Sequence, residues 1–407
     1  MAISSVRSLF PGLKLSVYGR PLVYLDNAAT SLRPMTVVEK WTQMAIDKNA
    51  NIHRAVHKKA SEATDEYEQT REAVRRFINA SSREEIIFTS GTTASINLLA
   101  YSFGEAFISD GDEILILESE HHSDLVPWQI MAQRKSAVIK KLPVENDGRI
   151  DLQRLRENLS EKTKLLCCAQ ISNVLGLINP VKDIVNICHS VGCTVLVDGA
   201  QGVVHCKVDV QDLGCDFYAF SGHKMYAATG TGVLYGKKDL LDKMPPYMGG
   251  GEMIGSVSFE KSTFAPLPGK FEAGTQNINS VPTFVPAIEI VEMMRGNEFE
   301  ESQRQIVEFV SAELQKDSRI KLYGEPKAIE EKVPLFSISV EGAHHEDLAL
   351  ILDKMGIAVR SGQMCAEPLM DRFGVTGMLR ASFAPYNTIE EAEFFIQCLQ
   401  KAIKMLS

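Results

Sequence analysis

Two polar residues follow apolar runs of the sequence at positions that suggest covalent cofactor chemistry. Asp198 comes directly after residues 194–197, and Lys224 follows residues 217–220 in the run Ser221-Gly222-His223-Lys224. Burial lowers the pKa of a lysine and makes its amine nucleophilic. A lysine for an aldehyde and a carboxylate for a protonated ring nitrogen together predict a pyridoxal phosphate site. Taken singly, Asp198 is also explained as a helix cap, and Lys224 as a solvated surface charge.

A bound phosphate needs a cradle, and one candidate lies between a predicted strand and a predicted helix. Residues 89–94 would present backbone N–H groups and the hydroxyls of Thr92 and Thr93 at the positive end of the helix. Strand–glycine–helix turns are common, so this segment is a weak indication on its own. The dinucleotide pattern G-x-G-x-x-G fails after Gly230, because Tyr235 stands where it needs glycine, and no P-loop pattern occurs.

Three further residues have types suited to proton transfer, nucleophilic attack or anion binding. His121 follows the strand-like residues 113–117, where an imidazole can stack on a planar cofactor or move protons, or can be a hydrogen-bonded structural histidine. Cys365 lies in a polar loop that contains glycine and proline, and Arg360 would favour its thiolate if it lies near. Arg380, within a predicted strand, has a guanidinium that can hold a carboxylate through two hydrogen bonds.

Short apolar runs that alternate with helical periodicity must position these side chains. The runs are continuous rather than alternating, which is typical of strands buried on both faces, and strand–helix alternation predicts an open, largely parallel sheet with helices on both sides. Ligands bind beyond the carboxyl ends of such strands. The predicted strands are residues 85–89, 113–117, 164–169, 194–197, 217–220 and 232–235, and the predicted helices include one from about residue 94, 151–159 and 181–191.

The pattern changes near residue 285, which predicts a second, smaller α+β domain. A helix over 283–294 is expected to run on into a charged helical stretch at 298–316, so that the boundary is a continuous helix. Strands are predicted at 335–340, 357–360 and 378–383, with helices at 345–355 and 389–406. We expect a large α/β domain over residues 18–285 and a small domain over 286–407, on which residues 1–17 pack.

Composition limits the possible classes of function. The chain has 407 residues, of which 45% are apolar and 23% charged, and its net charge is 43 − 52 = −9, which disfavours nucleic-acid binding. No run is long and apolar enough for a signal peptide or a membrane helix, so we expect a cytoplasmic protein without a membrane partner. Eight cysteines without a C-x-x-C pair indicate reduced thiols rather than a disulfide framework or a metal site.

In combination, these residues resemble the aminotransferase class V family of fold type I pyridoxal phosphate enzymes, and most of all its group II (SufS-like) cysteine desulfurases and selenocysteine lyases. The resemblance extends from residue 24 to residue 382. It rests on these segments: Tyr24-Leu25-Asp26-Asn27-Ala28-Ala29-Thr30, Asn51-Ile52-His53-Arg54, Ser90-Gly91-Thr92-Thr93, Glu120-His121-His122, Ser172-Asn173-Val174-Leu175-Gly176, Asp198-Gly199-Ala200-Gln201, Ser221-Gly222-His223-Lys224 and the Cys365 loop.

The resemblance implies a large domain built on a mostly parallel sheet of the seven-stranded type, and a role for each matched residue. Lys224 would form the Schiff base, Asp198 would hold the ring nitrogen, Gln201 would bond the phenolic oxygen and His121 would stack on the ring. Thr92, Thr93, Ser221 and His223 would bind the phosphate, together with Thr275 from the neighbouring subunit of a homodimer. Substrate binding would involve Asn173, Arg380, Arg360, Ala28, His53 and Arg54.

The implied reaction converts L-cysteine to L-alanine and leaves the sulfur on Cys365 as a persulfide for an acceptor protein, for example in iron–sulfur cluster assembly. The alternatives are a selenocysteine lyase acting on L-selenocysteine, another class V β-lyase or aminotransferase, and a catalytically silent assembly scaffold. In one departure from the group, Gln363 and Met364 precede Cys365, where group II members commonly have two histidines. Glutamine cannot take up a proton and methionine offers only a weak acceptor, so the resemblance does not extend to an acid–base role at these two positions.

Overall fold

A seven-stranded sheet forms the centre of the larger part of the chain in the computed structural model, which describes residues 3–406. In chain order its strands are β1 (Ile86–Thr89), β2 (Glu113–Leu117), β3 (Val138–Leu142), β4 (Thr163–Ala169), β5 (Thr194–Asp198), β6 (Phe217–Ser221) and β7 (Gly232–Gly236). Their spatial order is β1-β7-β6-β5-β4-β2-β3, and β7 runs in the direction opposite to the other six. The predicted mostly parallel sheet is therefore confirmed.

The register of the central strands places the chemically interesting residues at one edge of this sheet. Asp198 at the end of β5 pairs with Ala169 of β4 and with Ala219 of β6. Gly232, the first residue of the antiparallel β7, lies opposite both Ser221 and Thr89. The carboxyl ends of β1, β4, β5 and β6 therefore meet at the edge where an open α/β sheet binds its ligand.

Helices cover the sheet because their apolar stripes bury against strands that are apolar on both faces. Thr92–Phe107 follows β1, and its buried Ile96, Leu99 and Phe103 pack in one apolar cluster with residues of β2 and β6. The other helices that accompany the sheet are Met35–Ile46, Lys58–Phe77, Val126–Lys135, Leu152–Asn158, Val181–His189, Gly202–His205, Val210–Leu213, Lys238–Lys243 and Phe284–Met293.

A four-stranded antiparallel sheet organises the C-terminal part of the chain, in the order β8-β9-β11-β10. Its strands are β8 (Ile320–Tyr323), β9 (Leu335–Val340), β10 (Arg360–Gly362) and β11 (Met378–Ser382). The helices are Asn297–Gln315, His345–Lys354, Glu367–Phe373 and Ile389–Leu406. Val23 and Leu25 join this apolar core from the N-terminal part, where Val23–Tyr24 pairs in parallel with Ile357–Ala358.

Short paired strands lie outside the two sheets. Ser16–Val17 pairs with Arg20–Pro21, and Ile254–Val257 pairs with Ser262–Phe264 in an exposed hairpin. Among residues 3–406 there is no helix that combines the length and the apolar character needed to cross a membrane.

The structure corrects the predicted continuous helix at the domain boundary. Two helices form instead, Phe284–Met293 and Asn297–Gln315, and Gly296 between them is extended, with φ −83° and ψ 157°. The structure also contains β3 and β8, which the sequence analysis did not predict. The predicted strand over 357–360 is divided: Ile357–Ala358 pairs with Val23–Tyr24, whereas β10 (Arg360–Gly362) belongs to the small sheet. The helix at Ile389–Leu406 was predicted as it is found.

The N-terminal residues touch both parts of the chain. Helix Ile3–Arg7 places the Arg7 guanidinium 2.8 Å from the Glu391 carboxylate, whereas Val6 and Phe10 pack in the apolar cluster that includes β5 and β6. Residues 1 and 2 lie outside the described residues, as does residue 407. The domain limits 18–285 and 286–407 stay a prediction.

Candidate active site

A cavity of about 260 Å³ opens at the carboxyl ends of the large sheet and is closed on its other side by residues of the small sheet. It brings together most of the residues predicted from the sequence, although they come from segments far apart in the chain. The predicted residues that line it are Ala28, Thr92, Thr93, His121, Asn173, Asp198, Ser221, His223, Lys224, Arg360, Cys365 and Arg380.

Lys224 and Asp198 form the electrostatic centre of this cavity. Burial lowers the pKa of Lys224, the Asp198 carboxylate opposes that effect, and the Arg380 guanidinium adds to it. The Asp198 Oδ1 accepts a hydrogen bond from the Ala200 N–H at 2.7 Å, which fixes the carboxylate at the end of β5. An amine whose pKa is lowered is a better nucleophile at neutral pH. The pair therefore matches a lysine that reacts with an aldehyde beside an anion.

Two further carboxyl groups lie buried behind Asp198. Glu120 and Asp124 are 3% and 0% exposed. Burial, together with the Asp198 charge, raises the pKa of Glu120 to about 8 and raises that of Asp124 well above its usual range. Neighbouring buried carboxyls cannot all ionise. The two groups behind Asp198 therefore stay neutral at neutral pH.

The candidate phosphate cradle is a set of N–H and hydroxyl groups at the start of helix Thr92–Phe107. The Thr92 N–H donates to Ser221 Oγ at 2.8 Å, and Thr92 Oγ1 lies 2.8 Å from the same oxygen. Thr93 Oγ1 lies 2.7 Å from Ser123 Oγ. Gly91, with φ 148°, adopts a conformation that favours glycine. The positive end of a helix with free donors is a favourable place for an anion.

The residue of β7 that lies beside the cradle, Gly232, must also be glycine. A Cβ on Gly232 would come within 2.4 Å of Gly91 Cα, a distance at which the backbone would have to move. His223 closes the cradle on the other side, where its Nδ1 lies 3.2 Å from Thr30 Oγ1. Burial and the Lys224 charge lower the pKa of His223 to about 4, so its ring is neutral at neutral pH.

His121 presents a neutral ring to the cavity. Burial, which is the larger cause, and the Lys224 charge together lower the pKa of His121 to about 4. Its Nδ1 accepts a hydrogen bond from the Ser123 N–H at 3.0 Å, so the ring proton belongs on Nε2. A neutral, oriented imidazole on the cavity wall is suited to stacking on a planar ring.

Two arginines of the small sheet share one carboxylate at the cavity. Arg360 contacts Asp26 through Nε at 3.0 Å and Nη2 at 2.9 Å, and Arg380 Nη2 lies 3.4 Å from Asp26 Oδ1. Arg380 Nη1 donates to Asn173 O at 2.7 Å, while its Nε has no acceptor in the described part of the chain. Burial lowers the pKa of Arg380 to about 10. A cationic guanidinium that lines the cavity is suited to a substrate carboxylate.

Cys365 differs from the other seven cysteines in its surroundings. All eight are free thiols; six are buried, Cys206 is half-buried and Cys365 is exposed. Met364 and Cys365 have φ values of 54° and 55°, and a left-handed conformation costs a non-glycine residue roughly 1–2 kcal/mol. Asn173 Nδ2 donates to Met364 O at 2.8 Å and helps to hold this turn. An accessible thiol on a constrained loop at the cavity is suited to nucleophilic attack.

Four predicted residues lie outside this cavity. Gln201 lines a void of about 10 Å³ next to Lys224, and its Nε2 donates to Ala28 O at 2.8 Å. Thr275 lines a separate cavity of about 240 Å³. His53 pairs with Glu68 at 3.2 Å, and Arg54 pairs with Glu252 at 3.1 Å. The roles assigned to these four residues stay predictions.

Sequence reasoning assigned no role to several residues that the structure places at the site. Asp26 orients both arginines, Ser123 anchors Thr93 and His121, and His122 contacts the Cys365 loop. Asp26 and His122 fall inside segments quoted for the resemblance, which was the one signal available. A larger open cavity of about 530 Å³ at the amino ends of the parallel strands, near His189, holds none of the predicted residues.

The residues present fit pyridoxal phosphate. The cavity supplies an amine of lowered pKa, a carboxylate opposite it, a neutral imidazole and a hydroxyl-rich helix N-terminus, which are the groups that an aldehyde, a ring nitrogen, a ring face and a phosphate require. The guanidinium groups of Arg380 and Arg360, which also line the cavity, are suited to a substrate carboxylate.

Comparison with known proteins gives one consistent picture. Residues 23–395 match the family model described as Aminotransferase class-V. A protein of Halalkalibacterium halodurans named "Probable cysteine desulfurase" is 46% identical over 401 residues, 98% of each chain. One of the same name from Vibrio cholerae is 42% identical over 405 residues, 99% of each chain.

Solved structures give the same result. The chain superposes on the cysteine desulfurase CsdA of Escherichia coli, determined in an S-sulfonic acid form, with a TM-score of 0.92 and 38% identity over the whole of both chains. The apo cysteine desulfurase of Thermococcus onnurineus gives a TM-score of 0.93 at 36% identity, covering 100% of this chain and 99% of the other.

Proposed function

Because this chain belongs to the aminotransferase class V family, we propose that it is a pyridoxal-phosphate-dependent cysteine desulfurase that converts L-cysteine to L-alanine. The observation that carries the proposal is the position of Cys365, the exposed thiol among eight, which lines the same cavity as Lys224, Asp198 and Arg380. A cofactor site alone is compatible with many reactions. A nucleophilic sulfur facing that site favours sulfur transfer.

The chain's own residues account for cofactor binding. Lys224 Nζ would hold the aldehyde carbon, and Asp198 would hold a proton on the ring nitrogen. The cradle of Thr92, Thr93, Ser221 and His223 would bind the phosphate. When bound, pyridoxal phosphate supplies an electron sink that weakens the Cα–H and Cβ–S bonds of the substrate.

Substrate cysteine would be oriented through its carboxylate. Arg380 and Arg360 both line the cavity and supply two positive charges to it. Both guanidinium groups are held by Asp26, so they are preorganised before substrate arrives. Lys224 Nζ, with its lowered pKa, can take the Cα proton once it is free.

Sulfur would leave the substrate by attack of the Cys365 thiolate on the substrate sulfur atom. A bond forms between the two sulfurs while the substrate Cβ–S bond breaks, and the carbon product is protonated and released as alanine. The enzyme then carries a persulfide on Cys365. Covalent catalysis of this kind divides one difficult step into two easier ones.

We also propose the finer assignments that rest on the resemblance. These are the group II subtype, a homodimer in which Thr275 reaches the neighbouring subunit's phosphate, a sulfur-acceptor protein serving iron–sulfur cluster assembly, and a cytoplasmic location. Support for the dimer comes from Thr275, which faces a cavity separate from Lys224. Support for a reducing compartment comes from the eight free thiols.

The experiment that tests the proposal compares wild type with Cys365→Ser, each loaded with pyridoxal phosphate. We expect wild type to form alanine from L-cysteine and Cys365→Ser to form none, while both retain the visible absorption band of the lysine-bound cofactor. L-Selenocysteine is supplied in a parallel reaction to compare the two substrates. Undiminished alanine formation by Cys365→Ser would contradict the proposal.

A further inference from the structure

The Cys365 loop has two hydrogen bonds of its own, from the Ala366 N–H to Gln363 O at 3.0 Å and from Gln363 Nε2 to Glu367 Oε1 at 3.1 Å. It joins β10 to helix Glu367–Phe373 and contains the two consecutive left-handed residues Met364 and Cys365. Ala366, the residue before that helix, makes no side-chain capping bond. The first N–H groups of a helix have no partner within it. A partner from elsewhere in the chain must therefore complete the turn that presents the thiol.

His122 supplies that partner from the large sheet. Its backbone N–H donates to Cys365 O at 2.7 Å, and its ring Nε2 accepts from the Glu367 N–H at 3.1 Å. His122 thus contacts the residues on both sides of Ala366, although it lies 245 residues before Glu367 in the sequence. His122 does not line the cavity. Its contacts are directed to the loop rather than to a bound ligand.

We propose that His122 is a positioning residue that caps the Cys365 loop and holds the thiol in place for sulfur transfer. The proposal rests on the proposed function, since it concerns the same thiol. His121, the preceding residue, faces the cavity. The two adjacent histidines therefore connect the cofactor wall directly to the loop that carries the nucleophile.

The contact has a defined chemical requirement. Only a neutral imidazole has a lone pair on Nε2 with which to accept the Glu367 N–H. Glutamine can place an amide oxygen at a similar distance from the backbone, so His122→Gln can preserve the bond. Asparagine is too short to reach, and alanine has no acceptor. The backbone bond from His122 to Cys365 survives all three substitutions.

The chain contains a matched control for capping in general. His57 caps helix Lys58–Phe77 through its Nδ1, which accepts from the Ala60 N–H at 3.2 Å, and the buried residues of that helix pack with Phe284 and Ala287 of the large part of the chain. His57→Ala removes a histidine cap of the same kind. It should leave the Cys365 loop and the reaction rate unchanged.

The test measures backbone hydrogen exchange over residues 362–373 and the single-turnover rate of persulfide formation on Cys365, both with the cofactor-loaded protein. Loss of one neutral hydrogen bond predicts an increase of about 2- to 10-fold in exchange of this segment in His122→Ala. We expect a parallel fall in the sulfur-transfer rate, with the KM for L-cysteine unchanged. His122→Gln should restore both quantities, and His122→Asn replaces the alanine variant if that chain does not fold.

Two results would overturn the positioning role: loop exchange equal to wild type in both His122→Ala and His122→Asn, or faster exchange with an unchanged rate of sulfur transfer. Failure of the proposed function gives a different pattern. Wild type would then form no persulfide, whereas the exchange comparison would still report whether His122 holds the loop.

Discussion

Lys332 is a buried lysine between the two sheets, and its ionisation is expected to make the stability of the chain depend on pH. Its Nζ donates to Leu175 O at 2.5 Å and to Gly324 O at 2.9 Å, and 5% of the residue is exposed. Two carbonyl acceptors match the two N–H donors of a neutral amine. Burial lowers the pKa of Lys332 from 10.5 to about 7, against a smaller opposing effect of Glu325.

The sign and size of the effect follow from proton linkage. The folded chain releases this proton near pH 7, whereas the unfolded chain holds it up to about pH 10.5. Stability rises with pH wherever the unfolded state binds more protons, so the contribution of Lys332 increases over that interval. About 3.5 kcal/mol of this change falls between pH 7 and pH 10. With about 2.1 cal/mol/K of unfolding entropy for each of 407 residues, this corresponds to about 4 °C in melting temperature.

The assay compares the melting temperatures of the cofactor-loaded wild type and Lys332→Met between pH 7 and pH 10. Subtracting the melting temperature of the variant from that of wild type at each pH removes the contribution of every other titrating group. We expect the wild-type value to rise by about 4 °C relative to the variant. Lys332→Gln, which is polar but does not titrate, must give the same rise. A difference that stays constant or falls with pH would refute the account of this site.

Three other perturbations test the site and its support. Arg380→Lys should lower kcat/KM for L-cysteine by about 10- to 150-fold, since a hydrogen bond to a charged group contributes about 1.5–3 kcal/mol; an unchanged ratio would show that Arg380 does not hold the carboxylate. Glu272→Gln breaks a buried ion pair with Arg71, whose contacts are 2.7 and 2.9 Å. The substitution should lower the free energy of unfolding by about 3–5 kcal/mol, which corresponds to a fall of about 4–6 °C in melting temperature. A smaller fall would contradict the role of this ion pair in stability. Gly232→Ala would press a Cβ against Gly91 Cα. Overpacking costs about 1–3 kcal/mol, and here it would displace Gly91 in the phosphate cradle. We therefore expect the variant to bind the cofactor about tenfold more weakly in an absorbance titration. Equal affinity in the variant and wild type would contradict the cradle geometry.

Much of the large sheet and its site could be predicted because both depend on local patterns. The strands β5 and β6 are continuous apolar runs, which are typical of central parallel strands. Once they are parallel neighbours, their carboxyl ends must lie together, which brings Asp198 and Lys224 into one cavity. Cys365 could be singled out because its loop contains polar residues, glycine and proline, whereas most other cysteines lie in apolar surroundings.

The remaining features depend on contacts between distant segments, which a single sequence does not contain. The edge strand β3 includes two lysines and is only partly buried, so it lacks the apolar signal of a central strand. Asp26 meets Arg360 and Arg380 across more than 330 residues of sequence. The helix break at Gly296 was missed because residues with helical periodicity lie on both sides of it.

The most direct test of the central claim is a single-turnover reaction of the cofactor-loaded protein with L-cysteine, without a sulfur acceptor or a reductant. Alanine is quantified and the peptide containing Cys365 is analysed by mass spectrometry. The account predicts one alanine per chain and the mass of one added sulfur atom on Cys365. Repeated alanine formation with Cys365 unmodified would contradict it.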